Sequence, residues 1–236
     1  MIFAQPKPKA EPQSLAVLFL YPEEKKRSDL LMKHDLDMLL FPLVGYLSGS
    51  VLYAQLFVRL FTGQNLTQIS DDHNPGTANA FQYGGFLCGV LTLVCELLKG
   101  FVPVHLFMEG PPRDPYICAL VLAAPVIGHT FSVFSHFHGG KGIAVTFGCL
   151  LGLLPLWQPF AVLAAFFLLF SVVLRISPHY YRTLAAYIAS LVGMIFVVDR
   201  PEIRSGFCFM SIAVLWRMLT SKEKKEQMEV KPLWKH

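Results

Sequence analysis

Long apolar runs alternate with short polar connectors over most of this chain. Seven runs stand out, at about 38–61, 83–108, 116–135, 142–155, 157–174, 183–198 and 205–220. A membrane-crossing helix needs roughly 20 apolar residues, and most of these runs supply them. The fourth is short, and Pro155 divides it from the fifth, so that pair reads either as two spans or as a tight, partly interfacial helical hairpin. The pattern predicts an all-α polytopic membrane protein with about seven transmembrane helices, six being the alternative count. Residues 1–35 break the pattern: they are rich in Pro, Lys and Glu, and the run Leu15–Tyr21 is too brief to cross a bilayer. No small-residue cleavage site follows that run, so no signal peptide is predicted. The expected organisation is a poorly ordered polar extension over 1–35, one membrane domain over 36–220 and a basic cytoplasmic tail over 221–236.

Composition strengthens this picture. Hydrophobic residues make up 54% of the chain and charged residues 15%, against about a quarter charged in soluble domains, which excludes a soluble globular protein. The five cysteines (Cys88, Cys95, Cys118, Cys149 and Cys208) lie in apolar runs without C-x-x-C spacing. They read as small buried hydrophobes, not as a zinc site or a disulfide framework. The formal charge of +4 sits mostly in the tail, in Lys222, Lys224, Lys225, Lys231 and Lys235, and a basic tail beside a membrane faces the cytoplasm. Alternating spans then place the connectors 62–82, 136–141 and 175–182 on the same side as the tail. Those connectors carry nearly all the unusual polar residues, which is what a single site requires.

The most informative connector reads GHTFSVFSHFHGGKGIAVT, Gly128 to Thr146. Gly139, Gly140 and Gly142 bracket Lys141, a composition in which backbone N–H groups and an ammonium can face one anion. His129, His136 and His138 precede it. With no Asp, Glu or Cys nearby they make a poor zinc set, but an imidazole beside a phosphate loop can accept a hydroxyl proton. Upstream, Ser48, Gly49 and Ser50 interrupt the first run, and Arg59 follows nine residues after Ser50. These residues suit a helix contact with an interfacial arginine, and equally a phosphate clamp with a deeper hydroxyl donor. In the next connector, Asn74-Pro75-Gly76 is a turn signal, and Thr77 and Asn79 can cap a helix or donate to an anion. Asp71 and Asp72 would repel phosphate unless a cation intervenes. Glu96 and Lys99 share one helical face at membrane depth and are expected to pair, with Lys99 a secondary candidate for reaching substrate.

Taken together, GSVLYAQLFVR (Gly49–Arg59), NPGTAN (Asn74–Asn79), ELLKG (Glu96–Gly100) and the Gly128–Thr146 block resemble the acyl-phosphate:glycerol-3-phosphate acyltransferases, the PlsY family, over about residues 38–220. The resemblance implies a multi-pass enzyme of the bacterial inner membrane with its active site facing the cytoplasm. Such an enzyme moves a fatty acyl group from acyl phosphate to the sn-1 hydroxyl of glycerol 3-phosphate, giving lysophosphatidic acid for phospholipid synthesis. It implies catalytic roles for Ser50 and His129. Substrate-binding roles fall to Arg59, Asn74, Gly76, Asn79, Lys99, Gly139, Gly140, Lys141 and Gly142. Acyl phosphate, glycerol 3-phosphate and the lipid bilayer are the implied partners, with no nucleic acid, metal or other cofactor; protein partners are unknown. The chain departs from the family pattern where Asp71-Asp72-His73 replaces small residues, where Gln82 replaces an arginine, and at Trp216-Arg217-Met218-Leu219, which lacks an expected histidine and asparagine. A small-solute transporter and a catalytically impaired acyltransferase-like protein are the alternatives.

Overall fold

The computed structural model describes residues 38–110, 114–221 and 227–233. The polar extension 1–35 and half of the basic tail, 222–226 and 234–236, therefore lie outside the described residues. The chain divides into two compact units, Met1–Leu40 and Phe41–His236, and the architecture below is that of the second.

It is almost wholly helical. Helix α1 runs to residue 50, followed by α2 (Tyr53–Thr62), α3 (Leu66–Ile69), α4 (Thr77–Met108), α5 (Pro115–Thr130), α6 (Ile143–Leu151), α7 (Gln158–Leu168, continued by a π-turn over Leu169–Val173), α8 (His179–Val197) and α9 (Pro201–Thr220). Two-residue strands β1 (Ile176–Ser177) and β2 (Glu229–Val230) pair antiparallel and tie the tail to the entrance of α8. Among the described residues, five stretches are long and apolar enough to cross a membrane: Met38–Thr62, Thr77–Met108, Pro115–Ser135, His179–Val197 and Pro201–Thr220.

All seven apolar runs expected from the sequence lie on helices, five on these long stretches and two on the shorter α6 and α7. Helix α6 has nine residues, about 14 Å at 1.5 Å per residue, less than half a hydrocarbon core of about 30 Å. A helical turn at 152–157 follows it, and α7 returns. Both ends of the pair reach the same place, because Lys141 before α6 lies 2.9 Å from His179 after α7. The pair is a helical hairpin. It can be short because α4 covers it: a Cβ on Gly148 would come within 2.2 Å of the Leu97 carbonyl oxygen, so the two backbones nearly touch.

Helices α1 and α5 cross in the same way, a Cβ at Gly128 meeting the Tyr46 carbonyl oxygen at 2.1 Å. Apolar side chains from α5 to α9 fill the core, with Tyr187, Phe207 and Leu163 fully buried. The outward surface stays apolar: Phe86, Tyr116 and Phe196 are each about four-fifths exposed. That surface suits lipid, not water.

Two breaks in the helices shape the site. At Val51–Leu52 the chain leaves helical geometry between α1 and α2, which frees carbonyls that hydrocarbon cannot satisfy. Ser132 Oγ donates to the Ser50 carbonyl at 2.6 Å, and Lys99 Nζ donates to that of Val51. Within α4, Gly85 adopts φ 83°, a conformation costly for any other residue, and divides a short entry helix from the membrane-spanning part.

Candidate active site

The polar connectors meet at one end of the bundle, as alternation requires. Lys141 Nζ lies 3.0 Å from Asp72 Oδ2 in the 62–82 loop and 2.9 Å from His179 Nε2 at the first turn of α8. Lys141 is only 5% exposed, so this ammonium is a fixed element of the floor.

Asp72 organises its own loop. Its Oδ1 accepts from the Asn79 amide at 2.7 Å and from the Asn74 backbone N–H at 3.1 Å, and Asn79 also donates to the Asn74 carbonyl at 2.8 Å. Burial pushes the Asp72 carboxyl up, but the Lys141 charge, the Asn79 amide and the Asn74 N–H outweigh it and hold the group below the usual carboxylate range. A depressed folded-state pKa stabilises the fold above the unfolded value of about 3.9 and is lost as pH falls through the lower folded one. Asp72→Asn is therefore expected to flatten the acid limb of stability below about pH 4, read as melting temperature against pH in detergent. An unchanged acid limb would show that the pair contributes nothing.

The glycine block works differently from a simple nest of amides. The Gly139 N–H donates to the Thr130 carbonyl at 3.1 Å and the Gly140 N–H to that of His129 at 3.0 Å. Neither amide remains for an anion. Both glycines are needed for closeness: a Cβ on Gly139 would lie 1.8 Å from the His129 carbonyl oxygen, and one on Gly140 2.3 Å from His129 Nε2. Gly142, at φ 79°, turns the chain into α6. The first N–H groups of that helix, at Ile143, Ala144 and Val145, have no carbonyl four residues back to bond. The donors offered to an anion are thus Lys141 and the start of α6.

Two clefts flank this floor. A smaller one, of about 370 Å³, is lined by Asn74, Gly76, Glu96, His129, Lys141 and the start of α6, with His179 and Arg182 at one side and Leu93, Phe147 and Phe167 forming an apolar wall. A larger and more polar one, of about 1010 Å³, is lined by Arg59, Asp72, His73, His136, His138, Gly139 and Arg217. Asp72 in the larger cleft and Lys141 in the smaller one form the ion pair between them.

A buried cluster backs the smaller cleft. Glu96 Oε2 lies 2.8 Å from Lys99 Nζ and 3.1 Å from His129 Nδ1, while Lys99 Nζ is 2.9 Å from His129 Nδ1. All three residues are at most 4% exposed. The Lys99–His129 contact is a hydrogen bond, and Glu96 joins the two as an ion-pair partner at close range. The expected Glu96–Lys99 pair is thus a three-membered group, and it fixes one edge of the His129 ring with Nε2 against Gly140.

The predicted residues divide accordingly. Asn74, Gly76, His129, Lys141 and Gly142 line the smaller cleft; Arg59 and Gly139 line the larger one. Lys99 lines neither, its ammonium being engaged by Glu96, His129 and Val51. Asn79 is spent on Asp72 and Asn74. Ser50 is fully buried, and its hydroxyl donates to the Tyr46 carbonyl at 2.9 Å inside α1. His179 enters the site without having been singled out, Asp72 had been read only as a charge opposing phosphate, and Arg217 only as part of a departure from the family pattern. For Asp72 and His179 a signal existed, since both lie in connectors that alternation puts beside Lys141; Arg217 ends an apolar run and gave none.

Fold and site together define a polytopic helical membrane protein whose cationic connector end separates an apolar-walled cleft from a polar one. The chain belongs to the glycerol-3-phosphate acyltransferase family, whose model matches residues 39–225. A glycerol-3-phosphate acyltransferase of Proteus mirabilis is 33% identical over 185 residues, covering 77% of this chain and 78% of that protein. One of Aliivibrio fischeri is 37% identical over 114 residues, 48% of this chain and a little over half, 56%, of its relative. The fold is that of PlsY, an integral membrane glycerol 3-phosphate acyltransferase. Its glycerol 3-phosphate form superposes with a TM-score of 0.67 at 22% identity, over 76% of this chain and 87% of that one. The lysophosphatidic acid form gives 0.60.

Proposed function

We propose that this protein transfers a fatty acyl group from acyl phosphate to the sn-1 hydroxyl of glycerol 3-phosphate, giving lysophosphatidic acid, with the site on the cytoplasmic side of a bacterial inner membrane. The observation that carries the reading is the pair of clefts meeting at Lys141. The smaller one joins a buried ammonium and a helix start to an apolar wall, which suits the anionic head and alkyl chain of an acyl phosphate. The larger one offers Arg59 and a polar lining, which suits a small phosphorylated alcohol. The names of the family relatives and of the two PlsY forms point the same way.

An acyl phosphate is already activated, so the protein has mainly to align an alcohol and steady charge. The acceptor's hydroxyl oxygen bonds to the carbonyl carbon, the bond from that carbon to the phosphate oxygen breaks, and inorganic phosphate leaves. The hydroxyl proton goes to His129 or to the departing phosphate. Lys141, the first amides of α6 and the Asn74–Gly76 turn hold the donor phosphate, while Arg59 in the larger cleft holds the acceptor's. His129 orients the hydroxyl. His129 lines the donor cleft, and Ser50 contributes by closing the α1–α5 crossing beneath it. No covalent acyl-enzyme is required.

The test is purified protein given acyl phosphate with either glycerol 3-phosphate or water as acceptor. Lysophosphatidic acid formed only with glycerol 3-phosphate is the expected result. No product with either acceptor would overturn the reading in favour of a non-catalytic or transporting protein.

A further inference from the structure

The larger cleft contains a second guanidinium that the reaction as drawn does not use. Arg217, in the last turn of α9, lines it together with Arg59 from α2. Its Nε donates to the Gly139 carbonyl at 2.9 Å, which pins one edge of the planar fork. Asp72 is the only carboxylate among the residues lining this cleft, and both its oxygens are engaged, Oδ2 by Lys141 and Oδ1 by Asn79 and the Asn74 N–H. Arg217 forms no ion pair at 4 Å or less among the described residues. A half-buried guanidinium, anchored by its own Nε and with no carboxylate within ion-pair distance among the described residues, is pre-organised for an oxyanion with two oxygens to offer.

We propose that Arg217 binds the phosphate of the acceptor, so that glycerol 3-phosphate is held between two guanidiniums, Arg59 and Arg217. The second cation also offsets the charge of Asp72, which would otherwise oppose a dianion entering this cleft. Because Arg217 hangs from Gly139, acceptor phosphate and donor cradle share one backbone segment. The proposal rests on the acyltransferase reading for the identity of the acceptor, but its central measurement needs no turnover.

The experiment is titration calorimetry of full-length protein in lipid nanodiscs with glycerol 3-phosphate, and separately with glycerol, for the parent protein, Arg217→Gln and Arg217→Lys. Arg217→Gln is expected to weaken glycerol 3-phosphate about tenfold or more and Arg217→Lys by less, since lysine keeps the charge but not the fork. Weak glycerol binding should be the same in all three. In turnover assays the KM for glycerol 3-phosphate should rise while kcat and the KM for acyl phosphate hold, the pattern of lost ground-state binding. Unchanged affinity in Arg217→Gln would overturn the proposal. So would equal rises in both KM values, which would make Arg217 a prop for the Gly139 turn. A parent protein that binds glycerol 3-phosphate but makes no lysophosphatidic acid would defeat the acyltransferase reading and leave the Arg217 comparison intact. One that does not bind it would defeat both.

Discussion

Lys141→Ala is expected to lower kcat/KM for acyl phosphate by about 10²–10³, the usual effect of removing one pre-organised stabiliser of developing oxyanion charge. The loss should be large because the substitution does two things at once. It removes the ammonium from the smaller cleft, and it deprives Asp72 of the cation 3.0 Å from its Oδ2, leaving that negative charge less compensated beside an anionic substrate. Those contributions can be separated. In the double variant Lys141→Ala, Asp72→Asn, the repulsive part is gone, and about a tenth of the lost activity or more should return. Lys141→Arg should fall between, since a guanidinium restores the charge but does not fit between Asp72 and His179 without displacing one of them. Steady-state kinetics with a soluble short-chain acyl phosphate measures all three. Full turnover by Lys141→Ala would end the assignment of the donor phosphate to this residue.

The second large effect is on stability. Glu96→Ala should destabilise the protein by about 3–5 kcal/mol, the cost of removing one partner from a buried charge group. Lys99 would keep the Val51 carbonyl but lose its only carboxylate, and the imidazole of His129 would sit against an uncompensated ammonium at membrane depth. Replacing both charges, as Glu96→Met with Lys99→Met, should recover much of the loss, because paired removal leaves no orphan charge. Melting in detergent, followed by intrinsic fluorescence, gives the comparison. A Glu96→Ala protein that melts like the parent would mean that the cluster contributes no stability.

These expectations mix features visible in the chain with features that were not. The apolar runs, the turn at Asn74–Gly76, the pairing of Glu96 with Lys99 and the gathering of three connectors around Lys141 follow from hydropathy and from helix and turn geometry, which are local rules. The same rules located all seven helical runs but not the length of each helix. Hydropathy registers how apolar a segment is, while helix length depends on what ends it; α6 ends after nine residues at Gly152, ahead of the turn that leads to Pro155. The glycine block shows a similar division. That Gly139 and Gly140 matter was plain from their spacing around Lys141, but both amides bond back to α5, so the anion donors shift to the start of α6.

The sequence by itself determined that this is a helical membrane protein with its chemistry on one face, and the motif residues determined its family. Short-range periodicity and residue type decide such things, and they can be read in order along the chain. Only the tertiary structure decided which charge answers which: that Asp72 holds Lys141 across 69 positions, that His129 joins Glu96 and Lys99, and that Arg217 faces the cleft of Arg59. Ion pairs between distant segments depend on how helices cross, and crossing is set by packing at positions such as Gly128 and Gly148, whose consequences appear only once the neighbouring backbone is in place.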